Sequence, residues 1–353
     1  MNIGTIGTGS IVEATLSAIE RLEKVTCTAM YSRKKENAEM LANRYQVENI
    51  YTDLNSLFTD SNIDLIYIAS PNSLHYEHAY QALQHGKHVV CEKPFTSTLQ
   101  EAEQLIALAK EKNLFLFEGI SNIHLPNLKI VHEQLDKLGP IKLIQCNYSQ
   151  YSQRYNDLLA GHTPNVFNPR FSGGALMDIN NYNLHLIVDL FGLPDSVSYT
   201  ANLHPNGIDT SGVAILKYPQ WIATCTGSKD TSGLNFVLIQ GEQGYLHIVD
   251  GANGCKEVRL HFRQEPVQIF NAQTQDDRLY YEWEHFRDVY INNDVARCHE
   301  LLEHSYRVMN VLTTARKDAG IVFAADQYRL RSIRIGNTAH IQHIEQIQCR
   351  DHG

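Results

Sequence analysis

The stretch Ile3-Gly4-Thr5-Ile6-Gly7-Thr8-Gly9-Ser10-Ile11-Val12 decides the fold. A short run of strand character passes straight into a glycine-rich turn, and the turn opens a segment of helical period. Gly7 permits the tight reversal and Gly9 lets the backbone approach a pyrophosphate. Ser10 and Ile11 then stand at a helix N-terminus, where free N–H groups and the positive dipole end attract anions. The third position of the fingerprint is Val12 rather than Gly or Ala, which predicts looser packing of helix on strand. Strand, glycine turn and helix in this order predict a dinucleotide site, the plainer alternative being an ordinary glycine turn.

Working outward, residues 3–6, 25–31, 65–69, 88–91 and 114–117 are short runs rich in β-branched or apolar residues, separated by segments of helical length. In the first of these segments Ile11, Ala14, Ala18, Ile19 and Leu22 fall on one side; another runs over 99–112. Repeated βα units predict a doubly wound parallel sheet, a dinucleotide-binding domain over 1–121. After that the texture turns β-rich at 141–148, 212–218, 221–227, 236–241 and 244–249. Turn signals at Tyr218-Pro219-Gln220 and Gly241-Glu242-Gln243-Gly244 predict antiparallel hairpins. Helix-like stretches occupy 174–191 and 299–319. The expectation is an α+β substrate and oligomerisation domain over 122–327, followed by a disordered or appended tail over 328–353.

With 353 residues, 43% of them hydrophobic and 20% charged, the chain can bury a full core. Lys plus Arg total 30 against 39 Asp plus Glu, a net charge of −9, so nucleic acid is not an expected partner. No apolar run approaches the roughly 18 to 20 residues of a membrane span, and the first residues lack a secretory signal, which predicts a cytoplasmic protein. The seven cysteines are scattered with no Cys-x-x-Cys spacing, and the histidines show no His-x-x-x-His pair with a helical acid partner, so no metal is expected.

An NAD-specific enzyme usually offers a carboxylate to the ribose hydroxyls at the end of its second strand. Here the sequence reads Tyr31-Ser32-Arg33-Lys34, with no acidic residue before Glu36. Ser32 can hydrogen-bond a 2′-phosphate and Arg33 can pair with it, so NADP is expected in preference to NAD. A solvated basic loop is the bland alternative.

Ser70-Pro71-Asn72-Ser73-Leu74-His75 and Gly86-Lys87-His88-Val89-Val90-Cys91-Glu92-Lys93-Pro94 resemble motifs of the Gfo/Idh/MocA oxidoreductase family. The likeness continues through Gly139-Pro140-Ile141, Gly173-Gly174-Ala175-Leu176-Met177-Asp178 and Gly241-Glu242-Gln243-Gly244. It is nearest to the dihydrodiol, xylose and glucose–fructose oxidoreductase branch, because Tyr182 stands four residues after Asp178 where other branches have histidine. The resemblance implies a nicotinamide-binding Rossmann domain, a second domain built on an open, mostly antiparallel sheet, and a homodimer or higher oligomer. It implies hydride transfer at a carbinol carbon of a sugar, inositol or cyclic diol, with cofactor contacts from Ser70, Pro71, Asn72, His75, Glu92 and Lys93.

The residues make chemical sense of that activity. Lys93 follows a strand's carboxyl end, where ligands bind in open α/β sheets, and Pro94 restricts the backbone that presents it. Asp178 and Tyr182 are four apart in a helix-like stretch and so share a face. A phenol with an ordinary pKa near 10 is a poor base at neutral pH, and an ammonium such as Lys93 favours the phenolate. Tyr182 is therefore the expected acid/base group, with Asp178 orienting the substrate or balancing Lys93. His185, three residues on, can share the face, although a structural histidine is the plainer reading. Tyr148, Tyr151, Arg154 and Tyr155 form a polar aromatic group suited to a sugar or diol, with Asn165 and Asn168 in the loop that follows, and strand-face packing explains the alternate tyrosines equally well.

Two segments depart from the family pattern: Asp178-Ile179-Asn180-Asn181-Tyr182, where Gly is usual in the middle, and Glu118-Gly119-Ile120-Ser121-Asn122-Ile123-His124-Leu125-Pro126. Both bear on substrate identity. Two other functions fit the same fold, a dinucleotide-sensing regulator without turnover and a cofactor-assisted glycosidase. An intact Lys93 and Tyr182 favour the dehydrogenase.

Overall fold

The computed structural model describes residues 1–327, so the expected tail lies outside the described residues. Six strands form the first sheet: β1 (Asn2–Ile6), β2 (Thr26–Tyr31), β3 (Asn49–Tyr51), β4 (Leu65–Ile68), β5 (His88–Glu92) and β6 (Leu116–Gly119). All neighbours are parallel, in the order β3-β2-β1-β4-β5-β6. The crossovers carry α1 (Ser10–Ile19), α2 (Glu36–Arg44), α3 (Leu54–Thr59), α4 (His75–Gln84) and α5 (Leu99–Lys112). Every residue of β4, Leu65-Ile66-Tyr67-Ile68, is buried, as expected of a strand covered on both faces. Strand order reverses between β1 and β4, which opens a crevice at their carboxyl ends.

The inward face of α1 differs from the periodicity reading. Val12, Leu16, Ala18 and Ile19 are buried while Ile11 and Ala14 are only half-buried. Val12 is 0% exposed, so the third fingerprint position packs tightly: its branched side chain becomes part of the core instead of loosening it.

The second half contains α6 (Pro126–Gln134), β7 (Ile141–Ser149), α7 (Gln153–Leu159), a π turn over Leu176–Asn180, and α8 (Asn181–Phe191). There follow β8 (Ser196–Leu203), β9 (Asp209–Lys217), β10 (Ile222–Ser228), β11 (Phe236–Gly241), β12 (Gly244–Val249), α9 (Gly251–Gly254), β13 (Glu257–Phe262) and β14 (Gln268–Phe270). These strands form one sheet in the order β14-β13-β12-β11-β7-β10-β9-β8. It is antiparallel throughout except between β7 and β10. The two expected hairpins are present, β9 to β10 and β11 to β12. The fold is thus a Rossmann-type parallel sheet followed by a mostly antiparallel one.

Two long helices follow, α10 (Arg278–Ile291) and α11 (Val295–Asp318), and the first was not legible in the sequence. α10 returns to the first sheet: Trp283 meets Tyr67 edge-on at 5.3 Å between ring centres, and Phe286 stacks on Phe117 at 4.7 Å. α11 packs against α5 and β6 on one side and α8 and β8 on the other. Among the described residues nothing covers one face of the second sheet, and Ile215, Ile222, Tyr245 and Ile269 are exposed on it.

Candidate active site

The site lies at the carboxyl end of β5, which delivers Glu92 and then Lys93 through a cis Lys93–Pro94 peptide. Opposite stands the π turn with Asp178. The single helix expected over 174–191 is instead this π turn running into α8, a local irregularity of the kind that often accompanies functional sites. Asn180, where the family pattern has Gly, explains how it is held. Its side-chain amide donates to Cys225 O at 2.8 Å, and a Cβ on Gly227 would come within 2.5 Å of Asn180 Cβ. The bulk gained at one position is accommodated by a glycine on the facing strand.

Lys93, Asp178 and Tyr182 come together as expected. Lys93 Nζ donates to Asp178 O at 2.7 Å and to Oδ1 at 2.9 Å, and lies 5.0 Å from the centre of the Tyr182 ring. Burial by itself would raise the Asp178 carboxyl, but the Lys93 and Lys229 ammonium groups outweigh it and hold that carboxyl well below the usual carboxylate range. Burial also works against the Lys93 ammonium, and Asp178 and Tyr182 more than compensate, holding it above an ordinary lysine. The pairing thus favours the carboxylate of Asp178 and the ammonium of Lys93. The Tyr182 hydroxyl forms no hydrogen bond with the described residues, and Asn122 Nδ2 fixes the Tyr182 backbone by donating to its carbonyl at 2.9 Å.

Lys229, Arg278 and Tyr67 were not legible as parts of this site, whereas Tyr148 and Glu92 were among its candidates. Lys229, just past β10, donates to Asp178 Oδ2. Arg278, at the start of α10, places its guanidinium 5.9 Å from the Tyr182 ring centre, and Tyr148 meets that ring edge-on at 5.9 Å. Tyr67 OH donates to Glu92 Oε1 at 2.6 Å, and burial pushes the Glu92 carboxyl upward.

Other expected contacts fall elsewhere. His185 is 0% exposed, bonded through Nδ1 to His304 Nε2 at 2.9 Å with Nε2 3.5 Å from Glu118. Its burial and its contact with His304 agree with the structural reading of this histidine. His75 is 1% exposed, with Nδ1 on Pro94 O and Nε2 on Ser70 O, both at 2.9 Å. It braces two motif loops against each other and leaves no ring nitrogen for a cofactor. Asn72 Nδ2 donates to Ser172 O at 3.0 Å, which ties the first half to the second. Tyr151 OH donates to Asn156, and Arg154 is exposed and paired with Asp157 within α7. Tyr151 lies on the turn after β7 and Arg154 in the first turn of α7, both exposed.

The crevice fits a dinucleotide. Gly7 has φ +124°, and a Cβ there would meet Ala69 O at 2.6 Å, so only glycine makes this turn. Above Gly9 a Cβ would meet nothing within 4 Å, and no side chain caps the amides of α1. An open cradle over uncapped N–H groups suits a pyrophosphate. At the end of β2, Ser32 is buried and Arg33 is exposed.

Comparison with known proteins agrees. Residues 1–120 match the family model described as an oxidoreductase family with an NAD-binding Rossmann fold, and residues 133–247 match the GFO/IDH/MocA C-terminal domain. The uncharacterized oxidoreductase YgjR of Escherichia coli is 36% identical over 330 residues, covering 94% of this chain and 100% of the relative. The scyllo-inositol 2-dehydrogenase (NADP(+)) IolU of Bacillus subtilis is 34% identical over 322 residues, covering 91% of this chain and 98% of the relative. Among solved structures, the 3-ketoreductase KijD10 of Actinomadura kijaniata shares the fold with a TM-score of 0.79 at 23% identity, covering 90% of this chain and 97% of that one. With both halves matched in order along one continuous likeness, the protein belongs to the Gfo/Idh/MocA family of nicotinamide-dependent oxidoreductases.

Proposed function

We propose that this protein moves a hydride between NADP, in preference to NAD, and a carbinol carbon of a small polyhydroxylated substrate, an inositol, aldose or trans-diol. The meeting of Lys93, Asp178 and Tyr182 at the carboxyl end of β5 carries the reading. The bound nicotinamide supplies the hydride acceptor in oxidation and the donor in reduction. Tyr182, with its hydroxyl unengaged by the described residues, takes the carbinol proton. Lys93 uses two of its three N–H groups on Asp178 and offers the third to the substrate oxygen. Gly7, Gly9, Ser10, Ile11, Ser70, Pro71 and Glu92 line the cofactor's path, and Ser32 with Arg33 meets the 2′-phosphate.

Inositol is the first substrate to test, since the Bacillus subtilis relative is named for scyllo-inositol and NADP(+). The open face of the second sheet supports a homo-oligomer. Six described cysteines, all buried and unpaired, support a reducing, cytoplasmic setting; no helix among the described residues is long and apolar enough to cross a membrane. The test is a screen of inositols, aldoses and trans-diols with each cofactor, followed at the absorbance band of reduced nicotinamide. Turnover of at least one with NADP is expected. Tight cofactor binding with silence throughout would leave the sensing regulator as the better description.

A further inference from the structure

Asp178 is held from two sides. Lys93 takes its carbonyl and Oδ1, while Lys229 Nζ donates to Oδ2. Lys229 is fixed where it leaves β10: its N–H donates to Thr210 O, and its carbonyl accepts from Ser152 N, both at 2.9 Å. Its side chain is buried, at 9% exposure, and an ammonium desolvated to that degree persists only against a charged partner. Lys93 and Asp178 alone would cancel. Adding Lys229 leaves one positive charge in excess beside the Tyr182 ring.

We propose that Lys229 is a positioning residue of the acid/base site: by occupying Asp178 Oδ2 it keeps Lys93 from being fully neutralised and so maintains a net positive charge beside the Tyr182 phenol. The inference rests on the reading of Tyr182 as the acid/base group.

The other charged or titratable groups around this cluster are Glu92 from β5, His75 beside Pro94, Tyr148 from β7, Arg278 from α10, Glu118 from β6, His185 from α8, and Asp230 next in sequence to Lys229. Glu92 is engaged by Tyr67, and Asp230 accepts from the hydroxyls of Thr210, Ser211 and Ser228. Neither carboxylate forms an ion pair with Lys229, so Asp178 is its counterion.

The experiment is an ultraviolet titration of tyrosinate in the full-length protein, comparing wild type with Lys229→Met, Lys229→Gln and Lys229→Arg. Each is measured with and without Tyr182→Phe, so that subtraction isolates the Tyr182 hydroxyl. Removing one charge within a partly buried cluster should move the Tyr182 midpoint upward by about one to two pH units in the Met and Gln variants. Lys229→Arg should stay at the wild-type midpoint. The Gln variant guards against misfolding in the Met variant. The acid limb of kcat for scyllo-inositol oxidation with NADP should rise in pH by the same amount. An unchanged midpoint in both neutral variants would overturn the proposal, as would a uniform fall in kcat with the acid limb in place, which marks a merely structural residue. Undiminished turnover in Tyr182→Phe would instead refute the reading of Tyr182, while the titration still judges Lys229.

Discussion

The Lys93 ammonium stands 5.0 Å from the centre of the Tyr182 ring, over the face of the phenol and with no hydrogen bond to its hydroxyl. The two groups therefore communicate through the electric field and not through a shared proton. A phenolate gains from a cation at that range in a site partly shut off from water, and the hydroxyl stays free to meet a substrate.

Tyr182→Phe deletes only the hydroxyl, so cofactor affinity should remain near wild type. Turnover should fall by about 10²- to 10⁴-fold, the usual cost of losing a positioned proton acceptor, or roughly 2.7 to 5.5 kcal/mol of barrier. Lys93→Met removes the charge and the proposed substrate contact and should be at least as damaging. Because both act on one proton, the double variant should lose far less than the product of the single losses. Steady-state kinetics with fluorescence titration of cofactor decides this; multiplicative losses would mean that the residues act independently.

Cofactor choice is tested at the end of β2, where Arg33 is exposed and no acidic residue precedes Glu36. A charge-assisted phosphate contact contributes roughly 1.5 to 3 kcal/mol, about ten- to a hundredfold or somewhat more in affinity. NADP should bind more tightly than NAD by that order, and Arg33→Ala should narrow the gap by weakening NADP alone. Tighter NAD binding by the wild type would refute the preference.

Much of this arrangement was legible in the sequence because its signals are local. A glycine turn between strand and helix, and a lysine and proline at a strand's end, carry their meaning within a few residues. Lys229 does not, since its partner Asp178 lies 51 positions away and only the fold brings them together. α10 was hidden for another reason: Arg278-Leu279-Tyr280-Tyr281-Glu282-Trp283 presents aromatics on every side and buries a carboxylate, so it lacks a clean polar face. His75 and His185 show the converse. Their positions suggested a site, yet burial and neighbouring acceptors made them braces.

His78 gives a pH-dependent prediction. Burial, with His75 nearby, lowers its pKa from 6.5 to about 4, and its Nδ1 lies 2.9 Å from Ser70 Oγ. The folded state thus binds fewer protons than the unfolded one between about pH 6.5 and 4. The contribution of His78 is present above that window and is lost as pH falls through it, up to roughly 3 kcal/mol. His78→Gln should be less stable than wild type at neutral pH, through loss of the Ser70 bond, and the gap should close or reverse by pH 5. Thermal midpoints of both proteins across this range decide it, and a gap independent of pH would show that His78 is not held neutral.

The last prediction concerns the open face of the second sheet. Strand register places Leu143, Ile222 and Gln240 in one row, and Thr224, Ile215, Gln145 and Leu238 in the next, all on the side away from the helices. Ile215 and Ile222 are 42% and 41% exposed on adjoining strands, with Tyr245 at 40% further across. A broad face mixing apolar and polar residues is a poor boundary with water but a suitable surface for a second copy, whose identical face can meet it about a twofold axis. Sedimentation should therefore give a dimer or larger species at micromolar concentration. Ile215→Asp with Ile222→Asp would place two unpaired charges at the centre of that contact, and desolvating them is unfavourable enough to shift the equilibrium toward single chains. The active-site residues lie on the other side of the sheet, so cofactor affinity should survive the change. A wild type that sediments as one chain would overturn the prediction, and an undiminished oligomer in the double variant would move the interface to another surface.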